Sequence, residues 1–275
     1  MDNPFDFRRA ALAAVAVSLQ IETLRVIAGF FDMHEYQTFV YLAVQKTGTT
    51  FIAAMLDRFS REKAIRNDSH IPMGADYDPK KFYFISVRDP LDAYLSLYSY
   101  GSEARGKMRN KLEAQGINDL YDGTMGGFNE WLMYVMKPKN AEALDRSYAK
   151  MGDGAIAKLI GYQSWRYLRL ALPNPMGTLA KCESEDEIRA LYKEKRLPTY
   201  IVRYEHFIPD LVALVRGPLS HAITDIDAAV DFIENTLPIN TSERVDALED
   251  GVTLNRRLSR RLAEREWFLS EQFGY

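Results

Sequence analysis

Residues Tyr41–Phe51 read Tyr-Leu-Ala-Val-Gln-Lys-Thr-Gly-Thr-Thr-Phe. A β-rich apolar run stops, a lysine, a glycine and three threonines follow at once, and a helical pattern begins. Phe39–Val44 predicts a short buried strand. Gly48 lets the backbone turn and come close to a ligand where a Cβ would obstruct. Thr49 and Thr50 fall in the first turn of the next helix. Backbone N–H groups there lack helical partners, and the helix dipole favours negative charge. Lys46 stands just ahead of the glycine, so its ammonium reaches the same place. The turn suits a phosphate or a sulfate. The same residues also suit an ordinary strand-to-helix turn with capping threonines. A Walker A loop is a different arrangement, with its lysine after the second of two glycines; here the lysine precedes the only one.

Lys81–Val87 predicts a second strand, and Arg88-Asp89-Pro90 follows it. Asp89 is a good N-cap and Pro90 suits the first helical position. Leu91, Tyr94, Leu95 and Tyr98 then make an apolar stripe facing the core, with Asp92, Ser96 and Ser99 on another face. Arg88 thus lies at the carboxyl end of a strand, where open α/β sheets bind ligands. Further on, Ala155–Leu170 reads as one helix. Ser184 and Glu187 form a capping box opening a charged helix, and Tyr200–Arg203 predicts another strand. Helical patterns follow the strands, so the class is α/β with a mostly parallel central sheet.

Lys46-Thr47-Gly48-Thr49-Thr50 resembles the 5′-phosphosulfate-binding loop of sulfotransferases that use 3′-phosphoadenosine 5′-phosphosulfate. Arg88-Asp89-Pro90, with Ser96 eight residues after the arginine, resembles their 3′-phosphate-binding segment. Thr199–Phe207 is similar to a later strand ending in Tyr-Glu-Asp; His206 replaces the aspartate, so only Tyr204 carries over, as a neighbour of the adenine. Arg261–Tyr275 resembles family tails. The Arg-Asp-Pro form is closer to carbohydrate-type than to phenol-type members, and the Arg-Lys-Gly segment of the phenol type is missing. The resemblance implies a P-loop-like three-layer fold in a single domain, 1–275. It implies that Lys46, Thr47, Gly48, Thr49, Thr50, Phe51, Arg88, Ser96 and Tyr204 hold the donor, which leaves as adenosine 3′,5′-bisphosphate. Lys46 would also stabilise the leaving phosphate, and no metal is required. The implied acceptor is a small molecule or a carbohydrate.

The acceptor must lose a proton, and histidine serves as a base near neutral pH without special tuning. His70, in Asn67-Asp68-Ser69-His70, is the candidate; by resemblance, related enzymes place a histidine or glutamate base near this point. Glu62 and Asp68 are its rivals, and His34, His206 and His221 have weaker claims. Tyr98, Tyr100, Tyr121, Phe128, Trp131 and Tyr134 suit either an acceptor pocket or the core.

The chain has 275 residues, 47% of them hydrophobic, and a net charge of −3. That balance argues against a nucleic-acid partner. The single cysteine, Cys182, excludes an intramolecular disulfide. Four histidines are scattered without metal-ligand spacing. Arg8-Arg9 before Ala10–Leu19 has some features of a signal peptide. Asp2, Asp6 and the continuing helical pattern favour a packed N-terminal helical segment over residues 1–36. No apolar run reaches the roughly 18–20 residues of a membrane span, so a soluble cytoplasmic enzyme is expected. Residues 101–127, rich in glycine and basic residues, suit a lid or acceptor loop. Two other readings stay open: a small-molecule kinase of P-loop type, and a non-catalytic nucleotide-binding protein on the same fold.

Overall fold

The computed structural model describes residues 33–68, 72–104, 106–237 and 254–275. Five strands form one sheet: Met33–Glu35 (β1), Phe39–Leu42 (β2), Arg66–Asp68 (β3), Phe82–Val87 (β4) and Tyr200–Arg203 (β5), in the order β3-β1-β2-β4-β5. The two long expected strands are β2 and β4, paired in parallel, with β5 parallel to β4. β1 is antiparallel to both β2 and β3. The expected mostly parallel sheet is therefore mixed, parallel on one side of β2 and antiparallel on the other. The cause is a tight connection: Tyr36 N–H donates to Phe39 O (2.9 Å), and so short a link joins only antiparallel neighbours.

Among the described residues the longer helices are Thr49–Phe59 (α1), Pro90–Ser102 (α2), Lys107–Ala114 (α3), Met125–Val135 (α4), Tyr162–Ala171 (α5), Glu185–Lys195 (α6), Phe207–Arg216 (α7), Ile226–Asn235 (α8), Arg256–Arg265 (α9) and Trp267–Phe273 (α10). Alternation along the strands sorts them into layers. Phe39, Tyr41 and Phe84 point to the face covered by α1, α7 and α8. Val40, Leu42, Ile85 and Val87 point to the other, covered by α2, α4, α5, α6 and α10. Both faces of β2 are buried, which anchors the start of the turn that follows it.

Three expectations change. Residues 1–32 lie outside the described residues, and Met33–Glu35 at the end of the expected helical segment is strand. The span 101–127 is largely helical: α2 ends at Ser102 and α3 follows, with Leu112 and Tyr121 buried. The helix expected over Ala155–Leu170 is broken at Ile160, which is extended (φ −130°, ψ 160°), leaving a one-turn helix, Ile156–Leu159, before α5. The break comes from tertiary contact, because Gly161 N–H donates to the carbonyl of Arg265 (2.5 Å).

Candidate active site

β2 ends at Leu42, and the chain turns through Gln45–Gly48 into α1. Two residues of this turn have left-handed backbone, Lys46 (φ 69°) and Gly48 (φ 81°). For a lysine that conformation costs roughly 1 kcal/mol or more, the kind of local strain that clusters at binding sites. Successive N–H groups in such a turn form an anion-binding concavity. The N–H groups of Thr49 and Thr50 add to it, since α1 opens there with no side-chain cap. Gly48 is required twice over. Its φ is positive, and a Cβ would lie 2.5 Å from Phe207 Cε2. Gly48→Ala is expected to lower stability by about 1–2 kcal/mol or more, read as a shifted urea midpoint; an unchanged midpoint would mean that the turn relaxes freely.

The two expected anion motifs meet. Arg88 leaves the end of β4 and donates from Nη1 to the carbonyl of Lys46 (3.1 Å). Its Nε and Nη2 donate to Asp92 Oδ2 (3.2 and 3.1 Å), and its guanidinium lies 4.0 Å from the centre of the Tyr204 ring. So Lys46, Arg88 and Tyr204 share one locality. Arg88 is not a bare guanidinium, however, because Asp92 already holds part of its fork. Asp92, Ser96 and Tyr100 follow at four-residue steps and so share one face of α2. Tyr100 is the member sequence reasoning did not single out as a lysine contact: the Lys46 ammonium sits 3.6 Å above its ring, a cation–π geometry.

Two other expected donor contacts, Thr47 and Phe51, have side chains engaged within the protein. The Thr47 hydroxyl is buried, donating to Val44 O (2.5 Å) and meeting Ser86 Oγ (2.5 Å), which in turn meets the Tyr41 hydroxyl (2.8 Å). It ties the turn to the sheet. The Phe51 ring is buried edge-on against Phe207, with centroids 5.5 Å apart, and its N–H donates back to Gly48 O (3.1 Å). Tyr98, Phe128 and Trp131 are fully buried and pack on one another, Tyr98 edge-on to both and Phe128 stacked on Trp131, so they are core and not an acceptor wall.

His70 lies outside the described residues. Glu62 is excluded by position: it accepts from the N–H and hydroxyl of Thr38 (3.0 and 2.5 Å), and Thr38 precedes β2, at the end of the sheet away from Lys46. His34 is buried within β1 and stacked on Tyr41. The Asp89 carboxyl caps α2 through the Asp92 N–H (3.0 Å). Burial raises its pKa, and the hydrogen bond from Asp92 opposes that shift. Glu205 accepts from Asp89 N–H (2.6 Å) and from the Tyr275 hydroxyl (3.0 Å), tying the residue after Arg88 to the C-terminal segment.

A cleft of about 270 Å³ lies between Asp89–Leu91 and the C-terminal helices, with Leu254, Leu262 and Tyr275 in its walls, and no residue of the lysine turn lines it. Among the described residues no group of His, Cys, Asp and Glu is placed to hold a metal ion. No described helix is long and apolar enough to cross a membrane. A model of the sulfotransferase family matches residues 30–171, which include the lysine turn, Arg88 and Ser96. No curated protein and no solved structure matches the chain.

Proposed function

The chain belongs to the sulfotransferase family, and from that premise we propose that it moves a sulfo group from 3′-phosphoadenosine 5′-phosphosulfate to a hydroxyl, on a carbohydrate or glycoconjugate. One observation carries the reading: Arg88 Nη1 lies 3.1 Å from the carbonyl of Lys46. Two cationic motifs far apart in sequence are therefore in contact at the ends of adjacent parallel strands, which supports one ligand spanning both. A nucleotide with phosphates at both ends fits that pair. Lys46, Gly48, Thr49 and Thr50 take the 5′ end in a P-loop-like turn, and Arg88 with Ser96 takes the 3′-phosphate. Tyr204, which lies against the Arg88 guanidinium, is the neighbour of the adenine in this reading. The fork of an arginine suits phosphate better than a lysine would. Anion binding at Arg88 requires it to share or exchange the Asp92 carboxylate.

The donor supplies an activated S–O bond. The acceptor oxygen bonds to sulfur in line, the bond from sulfur to the 5′-phosphate oxygen breaks, and the acceptor proton passes to a base. His70 is that base in this reading. Lys46 neutralises the charge that grows on the departing phosphate oxygen. Such transfers resemble phosphoryl transfer, where placement and electrostatics supply most of the catalysis. The reading includes a soluble cytoplasmic enzyme without a metal.

Calorimetric titration with adenosine 3′,5′-bisphosphate and with ATP, both without metal, tests it. Tight binding of the bisphosphate and none of ATP is expected; the reverse would favour a kinase. Lys46→Met is expected to weaken bisphosphate binding modestly, the other donors of the cradle remaining, and to slow sulfate transfer to a saccharide panel by about 10²–10³-fold. Binding without transfer by the unaltered protein would leave a nucleotide-binding module.

A further inference from the structure

Arg166 is 6% exposed, and among the described residues no carboxylate pairs with it. Its Nη2 donates to Gln45 Oε1 (2.7 Å), its Nη1 to Gln163 Oε1 (3.3 Å), and its guanidinium lies 5.4 Å from the Tyr162 ring centre. Both hydrogen-bond acceptors are neutral amides. The buried carboxylate of this region, Glu266, is already taken by Tyr94, Gln163 N–H and Ser164. Removing a guanidinium from water costs several kcal/mol unless an anion and a full set of hydrogen bonds offset it. Beside it, the buried Nε2 of Gln163 has no hydrogen-bond partner. Two donor-bearing side chains, one of them charged, are thus neighbours, and among the described residues no carboxylate is hydrogen-bonded to either side chain.

We propose that Arg166 and Gln163 form a third oxyanion subsite, which takes a carboxylate or sulfate group of the acceptor. Gln45 is the half-buried partner of Arg166. Its amide oxygen holds the place of one ligand oxygen, and a charged oxygen there makes the stronger bond. Gln45 directly precedes Lys46 in the turn, which puts the subsite next to the transfer centre. It stands off the nucleotide, because the Lys46 ammonium leans on Tyr100 of α2 while the Gln45 amide leans on α5. The acceptor assignment rests on the sulfotransferase reading; the oxyanion subsite itself does not.

Thermal melts test it, with sodium glucuronate as probe and adenosine 3′,5′-bisphosphate saturating. A saturable rise in midpoint is expected with glucuronate, beyond glucose and sodium chloride at equal ionic strength. Arg166→Met should abolish the rise and leave the ligand-free midpoint unchanged or higher, since an uncompensated buried charge is gone. Gln45→Ala should keep or strengthen it. With carboxylate-bearing acceptors, Arg166→Met should raise KM about 10- to 100-fold and leave kcat and uncharged acceptors little changed. No saturable rise, a rise that survives in Arg166→Met, or its loss in Gln45→Ala would overturn the proposal. A larger shift with the sulfated donor than with the bisphosphate, lost in Arg166→Met, would reassign the group to the donor's own sulfo and also overturn it. If the bisphosphate does not stabilise the unaltered protein, the sulfotransferase reading fails, and the glucuronate melts without nucleotide still decide the subsite.

Discussion

His70→Ala is expected to lower sulfate transfer by about 10²–10⁴-fold, the usual contribution of a positioned base, with bisphosphate binding nearly intact. Strand register supplies the reason. Met33 of β1 pairs with Leu42 of β2 on one side and with Asp68 of β3 on the other. Neighbouring strands lie about 4.8 Å apart, so the Asp68 backbone is level with Leu42 and about 10 Å from it, counting two such spacings. Leu42 is where β2 gives way to the lysine turn. β3 is antiparallel to β1, as β2 is, so β3 also ends at this edge, and His70 comes two residues after Asp68. Glu62 is tied to Thr38 at the opposite end, and His34 is buried in the sheet. The check is a pH–rate profile. The unaltered enzyme should lose activity as pH falls through the range where an imidazole takes a proton, and His70→Ala should lack that limb. Full activity in the variant would remove His70 from the mechanism, and a comparable loss in Asp68→Asn alone would pass the role to Asp68.

What the sequence discloses here is what local chemistry decides. The turn at Lys46–Thr50 was legible because a positive-φ glycine, two hydroxyls and a helix start must be neighbours in the chain to make an anion cradle. Arg88 was legible because Asp89 and Pro90 mark the helix that begins beside it. β1 and β3 were not, because each is three residues long and carries no alternation that could raise it above loop. Tyr98, Phe128 and Trp131 left core and pocket equally open, since helical spacing does not say what an apolar stripe meets. The charged residues that organise the interior were the hardest to see. Arg166 and Gln45 are 121 positions apart, and Ser164 and Glu266 are 102 apart. Nothing near either charge in sequence distinguishes it from a solvated helix residue. The broken helix before α5 has the same origin: a favourable local pattern yields to a backbone donor captured by the C-terminal segment.

The strongest of those hidden contacts gives the largest expected effect on stability. Glu266 is fully buried, and its two oxygens accept four hydrogen bonds. Oε1 takes the Tyr94 hydroxyl (2.6 Å) and the Gln163 N–H (3.2 Å); Oε2 takes the Ser164 N–H and hydroxyl (both 2.8 Å). Two of these donors are first-turn amides of α5, so the carboxylate also meets the positive end of that helix. Its neighbour Arg265 caps the one-turn helix Ile156–Leu159 through the carbonyls of Ala157, Lys158 and Ile160. The pair thus rivets the C-terminal helices to the core. Glu266→Ala strands the four donors at once, and losing one side of such a buried charged network costs about 3–5 kcal/mol. In a chain of this size that is a fall in unfolding midpoint on the order of 10 °C. Glu266→Gln keeps the shape but turns an amide NH₂ toward two of the donors, so it should recover only part of the loss. Tyr94 also belongs to α2, the helix that carries Asp92 and Ser96. Bisphosphate affinity should therefore weaken in Glu266→Ala even below its unfolding range. Urea denaturation of the two variants checks the first effect and calorimetry the second; a Glu266→Ala protein within about 1 kcal/mol of the original, the net worth of one ordinary hydrogen bond, would show that water replaces the carboxylate and that the rivet is dispensable.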